Sequence, residues 1–220
     1  MPPEDTALPP QSAVSIDVLT LRFWPDDDTV HLGVAPRAHP PFLGDLALPG
    51  VLLTRGARLA DDARRAVTTK LGVPTPSIAA VGQLITFDEP NRDPRGPTLS
   101  IAMWAVCTQT DADNTQTVWP PLTAVPTLAF DHTAILTHCR PLLAAKLWSD
   151  LPFTRALLGT RFSATRAVTL TAALRGERPD PGNLNRLMAG IPTLHRTPDR
   201  VRSHPTGRPA AIWTFEDEGN

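Results

Sequence analysis

At 220 residues, with 41% hydrophobic and 20% charged residues and a mean hydropathy of −0.12, the chain can bury a core as one large domain or two small ones and is not charge-rich enough to be disordered. No stretch approaches the roughly 18 consecutive apolar residues of a membrane span, and the opening MPPEDTALPP has neither a basic nor an apolar export segment, so a cytoplasmic protein with no membrane partner is expected. The formal net charge of −1, taken alone, argues against a nucleic-acid partner.

Residues 1–12 are polar and proline-rich and are expected to form a flexible arm. From Val18 the sequence alternates, with Leu19, Leu21 and Phe23 on one side and Thr20 and Arg22 on the other, which predicts a half-buried strand over 15–25. Asp26 to Asp28 supply a turn and TVHLGVAP a second strand, so the pair reads as a hairpin. A loop over 38–50 ends in the apolar step LALPG. Residues 57–73 place Leu59, Ala63, Ala66, Val67 and Leu71 near helical spacing, and Gly72 stands where helices commonly stop. IAAVGQLITF (78–87) and LSIAMWAVCT (99–108) follow as strands on either side of the turn-rich DEPNRDPRGPT. A further helix is predicted over 131–147, where Ile135, Leu136, Cys139, Leu142, Leu143 and Leu147 recur and Pro141 threatens a kink. Cys107 and Cys139 read as small buried hydrophobes in a reducing compartment. The 25 prolines argue for abrupt element ends and few long helices.

Residues 148–160 read as a short boundary before a tail of different charge. Residues 151–220 hold ten arginines, no lysine and six acidic residues, whereas the preceding 150 carry 11 basic and 16 acidic groups. A basic tail on an acidic body suits a polyanion binder, and the planar guanidinium suits phosphate and base edges. A GC-rich genome that favours Arg over Lys accounts for the same composition.

In the tail, Ser163 or Thr165 can cap a helix carrying Ala167, Val168, Leu170 and Leu174, which Gly176 ends. Asp180 and Pro181 start another, with Leu184, Leu187 and Met188 on its buried side. TLHRTPDRVRSHPTGRPAAIWTF then reads as two strands around a polar loop, with Arg196, Arg200, Arg202 and Arg208 near the tip. Helix, turn, helix and hairpin outline a winged helix over 153–216. Asn183, Asn185 and Arg186 are its candidate base-edge readers, and Arg200, Arg202 and Arg208 its candidate DNA-backbone contacts. A small helical protein-interaction domain is the alternative.

The ordered segments APRAHPPFLGDLALPG, a helix ending KLGV, ITFDEPNRDPRGPTLSIAMWAV, LAFDHTAILTHCRPLLAAKLW and GRPAAIWTF resemble the Nudix-related transcriptional regulators of NAD metabolism over most of the chain. The resemblance implies an α+β protein: a Nudix-like α/β/α sandwich with a mixed sheet over 13–147, ending in a linker helix, followed by the C-terminal winged helix-turn-helix domain. Active relatives carry the Nudix box after LPG: a Gly, a Glu six positions later, then Arg-Glu and a Glu-Glu pair before a closing Gly. Laid back from Gly72, the box arginine is Arg65, but the acidic positions fall on Ala57, Ala66, Thr69 and Lys70 and the first glycine on Val51. Pyrophosphate hydrolysis in that fold needs divalent ions on oxygen ligands. The chain is therefore expected to have no catalytic residues, no metal site, no cofactor and no hydrolase activity. Asp61 and Asp62 read as solvated acids near the N-terminus of the same helix.

The resemblance further implies a sensor cleft for ADP-ribose or a related nucleotide. Its ligand-binding residues would be Arg37, Phe42, Arg65, Asp93 and Arg95, with Arg37 and Arg95 holding a diphosphate. It also implies a homodimer whose affinity for operator DNA changes with the ligand. One departure stands out: the recognition helix DPGNLNRLM keeps Arg186 alone where relatives are rich in basic residues, which lowers the expected number of phosphate contacts. Two rivals remain. One is an enzyme repurposed for metal-independent chemistry in the old cleft, with His39, Asp45 or Glu89 as acid–base groups; the other is a nonenzymatic interaction module.

Overall fold

The computed structural model describes residues 12–24, 29–108, 116–201 and 209–216. Ala13–Trp24 (β1) pairs antiparallel with Thr29–Gly33 (β2), Leu21 opposite Leu32 and Phe23 opposite Val30, which is the expected hairpin. Its turn at Asp26 to Asp28, and residues 1–11 of the expected arm, lie outside the described residues. Ala35–Pro36 (β3) and Leu46–Ala47 (β4) form a two-stranded ladder, and Gly50–Leu52 (β5) adds antiparallel to β1. Leu59–Leu71 (α1) ends as predicted at Gly72, whose left-handed backbone (φ 72°) turns its N–H onto the Thr68 carbonyl. Ile78–Phe87 (β6) and Thr98–Cys107 (β7) are antiparallel to each other, and β7 runs parallel to β1. The sheet is therefore mixed, in the order β2-β1-β7-β6.

β1 departs from the half-buried expectation, because Ile16 through Arg22 are all buried. The strand is central and both faces are covered. Ile16 and Val18 pack with Ala63, Val67 and Leu71 of α1, while Leu19 and Leu21 face a second layer of helices. Thr20 and Arg22 share the α1 side by strand alternation, and the Arg22 guanidinium lies over the Trp119 ring at 3.9 Å.

His132–Lys146 (α2) takes Pro141 into its length. The segment that read as a boundary contains a helix, Leu151–Leu158 (α3), which places Phe153, Leu157 and Leu158 in the core. Asp150 caps it, Oδ1 accepting from the Phe153 N–H at 3.3 Å. Eight residues are too few for a hydrophobic period to stand out. Arg161–Ser163 (β8), Ala164–Arg175 (α4), Pro181–Ala189 (α5), Leu194–Val201 (β9) and Ala210–Phe215 (β10) complete the chain, with β10 between β8 and β9. Both expected caps form: Ser163 Oγ accepts from the Arg166 N–H (3.1 Å) and Asp180 Oδ1 from that of Asn183 (2.7 Å). Leu187 is not on the buried side of α5; it is 45% exposed, whereas Leu184 and Met188 are buried. The short helix docks by that narrow stripe alone, and Leu187 is turned about 100° from Met188.

One apolar cluster joins the sheet, α2 and α3 to the C-terminal elements, beside a second cluster under α1. Trp104 of β7 meets Phe153 of α3 edge-to-face with centroids 4.9 Å apart, α4 packs on β2 and α2, and Arg140 of α2 donates to the Ala173 carbonyl of α4 at 3.0 Å. Cys107 and Cys139 are buried as expected, and burial pushes the Cys139 thiol up to about 12. Among the described residues no helix is long and apolar enough to cross a membrane. Truncating Phe153 to Ala should cost about 3–5 kcal/mol, read as a lower urea midpoint. Tryptophan fluorescence and far-UV circular dichroism should report one coincident transition, and two separate transitions would contradict a shared core.

Candidate functional site

A cavity of about 770 Å³ opens where the start of β1, the β3–β5 segment, the last turns of α1 and the 88–97 loop converge, a size that suits a small ligand. Its floor is Asp17 of β1. Ser15 Oγ (2.9 Å) and Ser100 Oγ (2.6 Å) donate to Asp17 Oδ2, and Arg92 Nη2 reaches the same oxygen at 3.3 Å. Gly50 stands opposite Asp17 in the ladder, where a Cβ would come within 2.4 Å of Asp17 Oδ1, so only glycine leaves the carboxylate room. Arg92, with 4% of its side chain exposed, also forks onto Asp131 at the start of α2, with Nε–Oδ2 2.9 Å and Nη2–Oδ1 2.8 Å.

His132 stands beside this pair. Its Nδ1 accepts from the Leu48 N–H at 3.0 Å, and its Nε2 faces Asp17 Oδ1 at 3.6 Å. Burial drives its pKa below the ordinary histidine value and outweighs the opposing pull of Asp17 and Asp131. With Nδ1 accepting from an amide N–H, the ring is neutral with its proton on Nε2.

An aromatic wall closes one side. Phe130 (φ 56°) and Phe42 (φ 63°) meet edge-to-face at 4.8 Å, both in left-handed backbone. Such a conformation costs a bulky residue about 1–3 kcal/mol and is kept where surrounding structure demands it. The Arg37 guanidinium lies over the Phe130 ring at 4.4 Å and donates to the carbonyls of Pro41 (2.7 Å) and His39 (3.2 Å). Arg95, whose side chain is 59% exposed, forks onto buried Asp93 through Nε (2.9 Å) and Nη2 (2.6 Å). That side-chain bond, against the opposing effect of burial, holds the Asp93 carboxyl below the usual range.

On the α1 side, Asp62 corrects the sequence expectation. Asp61 is exposed, but Asp62 is 2% exposed and accepts from the Thr54 N–H (2.7 Å), Thr54 Oγ1 (3.0 Å) and Arg65 Nε (3.0 Å) and Nη2 (2.8 Å). Burial raises its pKa, yet these bonds from Thr54 and Arg65 outweigh it and leave the carboxyl below its ordinary value. The 53–56 loop folds over the first turn of α1 and buries the acid. Arg65 also reaches the Leu52 carbonyl at 2.9 Å, stapling α1 to the end of β5.

The residues at the box positions do not suit a divalent ion, which asks for several oxygen ligands. Ala66 is buried in the core, Thr69 Oγ1 donates back to the Arg65 carbonyl (2.7 Å), and Lys70 brings an ammonium to the cavity. Among the described residues no group of three or more His, Cys, Asp or Glu side chains could hold a metal.

Of the five residues expected at the ligand, Arg37, Arg65, Asp93 and Arg95 line the cavity; Phe42 stands behind Phe130 instead. Asp17, Arg92, Phe130 and His132 also line it and were not foreseen. Of the acid–base candidates, His39 alone lines the cavity, while Asp45 and Glu89 are exposed outside its lining. In the tail, Asn183 and Arg186 are exposed on α5 and bonded to each other, and Asn185 Nδ2 is spent on the Pro181 carbonyl (2.7 Å). A smaller hollow of about 350 Å³ between α5 and β9 is lined by Asn185, Arg186, His195, Arg196 and Trp213. Arg200 is exposed on β9, and Arg202 and Arg208 lie outside the described residues.

A mixed sheet between helical layers, then helix, strand, two helices and a hairpin, is the architecture of a Nudix-like domain followed by a winged helix-turn-helix domain. Shewanella oneidensis NrtR in complex with a 27mer DNA has this fold at 22% identity, with a TM-score of 0.73, over 92% of this chain and 93% of that one. A MutT/nudix family protein from Enterococcus faecalis is similar at 20% identity and a TM-score of 0.66, over 94% and 89% of the two chains. The NUDIX domain of the Shewanella protein complexed with ADP ribose matches at 22% identity and a TM-score of 0.52, over 61% of this chain and 90% of that one. No family model matches the sequence, and no curated protein does.

The neutral, buried His132 gives the fold a pH dependence. Its folded pKa lies below the ordinary 6.5 that the unfolded chain regains, so in the window below 6.5 the unfolded state binds the extra proton and stability falls with pH. Urea unfolding measured between pH 7.5 and about 5 should show that decline. In His132→Gln the component should disappear, and a curve parallel to the parent's would contradict the neutral assignment.

Proposed function

We propose that the chain is a ligand-responsive transcriptional regulator. A Nudix-like sensor over 13–147 binds ADP-ribose or a related nucleotide without hydrolysing it, and a winged helix over 153–216 binds operator DNA, two copies acting as a homodimer. The observation that carries this reading is the union, in one chain and across one shared apolar cluster, of an arginine-lined cavity and a helix-turn-helix that exposes Asn183 and Arg186. The structures of NrtR with DNA and of its NUDIX domain with ADP ribose support it.

The chemistry of each half is consistent with the assignment. Guanidinium groups form the charge-assisted bonds that a diphosphate takes, and Arg37 and Arg95 present them at the cavity. The absence of carboxylates at Ala57, Ala66, Thr69 and Lys70 supports binding without turnover. Helix α2 begins at the cavity, where His132 lines the wall, and packs on α4 farther along, so a ligand that favours one setting of α2 biases the DNA-binding half.

A gel shift with the DNA upstream of the chain's own gene, with and without ADP-ribose, tests the proposal. A shifted band whose intensity changes with the ligand is expected, and no shift even at low salt would overturn the regulator. Arg186→Ala should cost about 1–3 kcal/mol of discrimination between operator and unrelated DNA; unchanged discrimination would mean that α5 is not the reader. Incubated with Mg²⁺ and ADP-ribose, the purified chain should release no AMP, and metal-dependent release would overturn the inactive sensor.

A further inference from the structure

Among the described residues, two cations of the cavity have no carboxylate contact. Arg65 is held by Asp62, Arg95 by Asp93, and Arg92 by Asp17 and Asp131. Arg37 donates to backbone carbonyls. Lys70, exposed in the last turn of α1, has no hydrogen bond or ion pair among the described residues. Lys70 lines the cavity, and its ammonium carries three donors that no partner among the described residues takes up.

We infer that the cleft binds the diphosphate of its nucleotide without a divalent ion, and that Lys70 supplies the positive charge that a metal supplies in a Nudix hydrolase. The inference rests on the nucleotide reading above. A diphosphate brought out of water needs counter-charge at the site. A hydrolase of this fold provides it with ions on the box carboxylates; here two of those positions are Thr69 and Lys70, both on the cavity wall. An ammonium on a four-carbon stem is a mobile point charge suited to phosphate, and it repels the ion it replaces. Arg65, fixed by Asp62, Thr54 and Leu52 through Nε and Nη2, leaves Nη1 for the same ligand. Lys70 also sits favourably against the carbonyl end of α1, so binding and stability are read separately.

Isothermal titration of ADP-ribose and of inorganic pyrophosphate, each in EDTA and in Mg²⁺, tests the idea on the full chain. The parent protein should bind both probes in EDTA at least as tightly as in Mg²⁺. Lys70→Ala should weaken both by about tenfold or more, Lys70→Arg should restore most of the loss, and the urea midpoints should stay close to the parent's. Binding that requires Mg²⁺, or affinities indifferent to Lys70→Ala, would overturn the inference and leave the nucleotide reading intact. Pyrophosphate bound in EDTA through Lys70 with ADP-ribose unbound would sustain the metal-free diphosphate site and overturn ADP-ribose as its ligand. Neither probe binding would overturn both.

Discussion

A single buried guanidinium joins the parts of this protein that would otherwise be independent. Arg92 comes from the loop between β6 and β7, and it bonds Asp17 on the central strand and Asp131 at the entrance to α2. Burying an ion costs several kcal/mol unless its bonds are made. The sequence around Arg92 is arranged so that they are: Ser15 and Ser100 satisfy Asp17 from the same and the neighbouring strand, and Gly50 withholds the side chain that would collide with it. Removing the guanidinium would leave Asp17 and Asp131 without their shared cation. The cluster therefore fixes the cavity floor and the origin of α2 together, and a change at one is mechanically a change at the other.

The cavity above that floor is rich in guanidinium groups, and the acids around it are engaged in holding them. Each acid near the site, Asp62, Asp93, Asp17 or Asp131, is spent on positioning an arginine. Such pairs pre-organise the guanidinium groups at the expense of free negative charge, and pre-organised donors lose less on binding a ligand. Phe130 and Phe42 contribute in the same sense, since their strained backbone puts an aromatic face beneath Arg37 rather than a flexible chain.

Much of the scaffold was legible because its signals are local. The Asp180–Pro181 start, the Ser163 cap and the Gly72 and Gly176 stops depend on residues within a turn of one another, and the strands of 78–107 flank a turn-rich loop. What escaped depends on partners far away in sequence. Asp62 looks like a surface acid until the 53–56 loop folds over it, and Arg92 is one charge in a polar loop until Asp17 and Asp131, 75 and 39 residues away, close on it. Helix α3 was hidden for a different reason: eight residues carry barely two turns, and tertiary packing of Phe153 rather than periodicity stabilises it. For the cavity, four of the five nominated residues line the wall, yet the floor that orients them was invisible.

Electrostatics also divides the two halves of the proposed regulator. On the tail, Arg161 is already paired across the sheet with Asp199 at 2.6 Å, and Arg186 is bonded to its own helix neighbour Asn183. α5 otherwise offers amides and a proline, with Leu187 exposed between them. A DNA-binding surface of that kind releases few counterions, so its affinity would owe less to nonspecific attraction and fall less steeply with salt than that of a strongly basic recognition helix. Selectivity would then rest on the fit of α5 in the groove and on base-edge contacts, which depend on its angle. That angle is set by Leu184 and Met188 packing into the core shared with α4, and α4 in turn rests on α2. In the proposed regulator, a tail with little nonspecific grip would be the more exposed to a small rotation of α5, so the weak charge of that helix and its packing on α4 would serve the same mode of control.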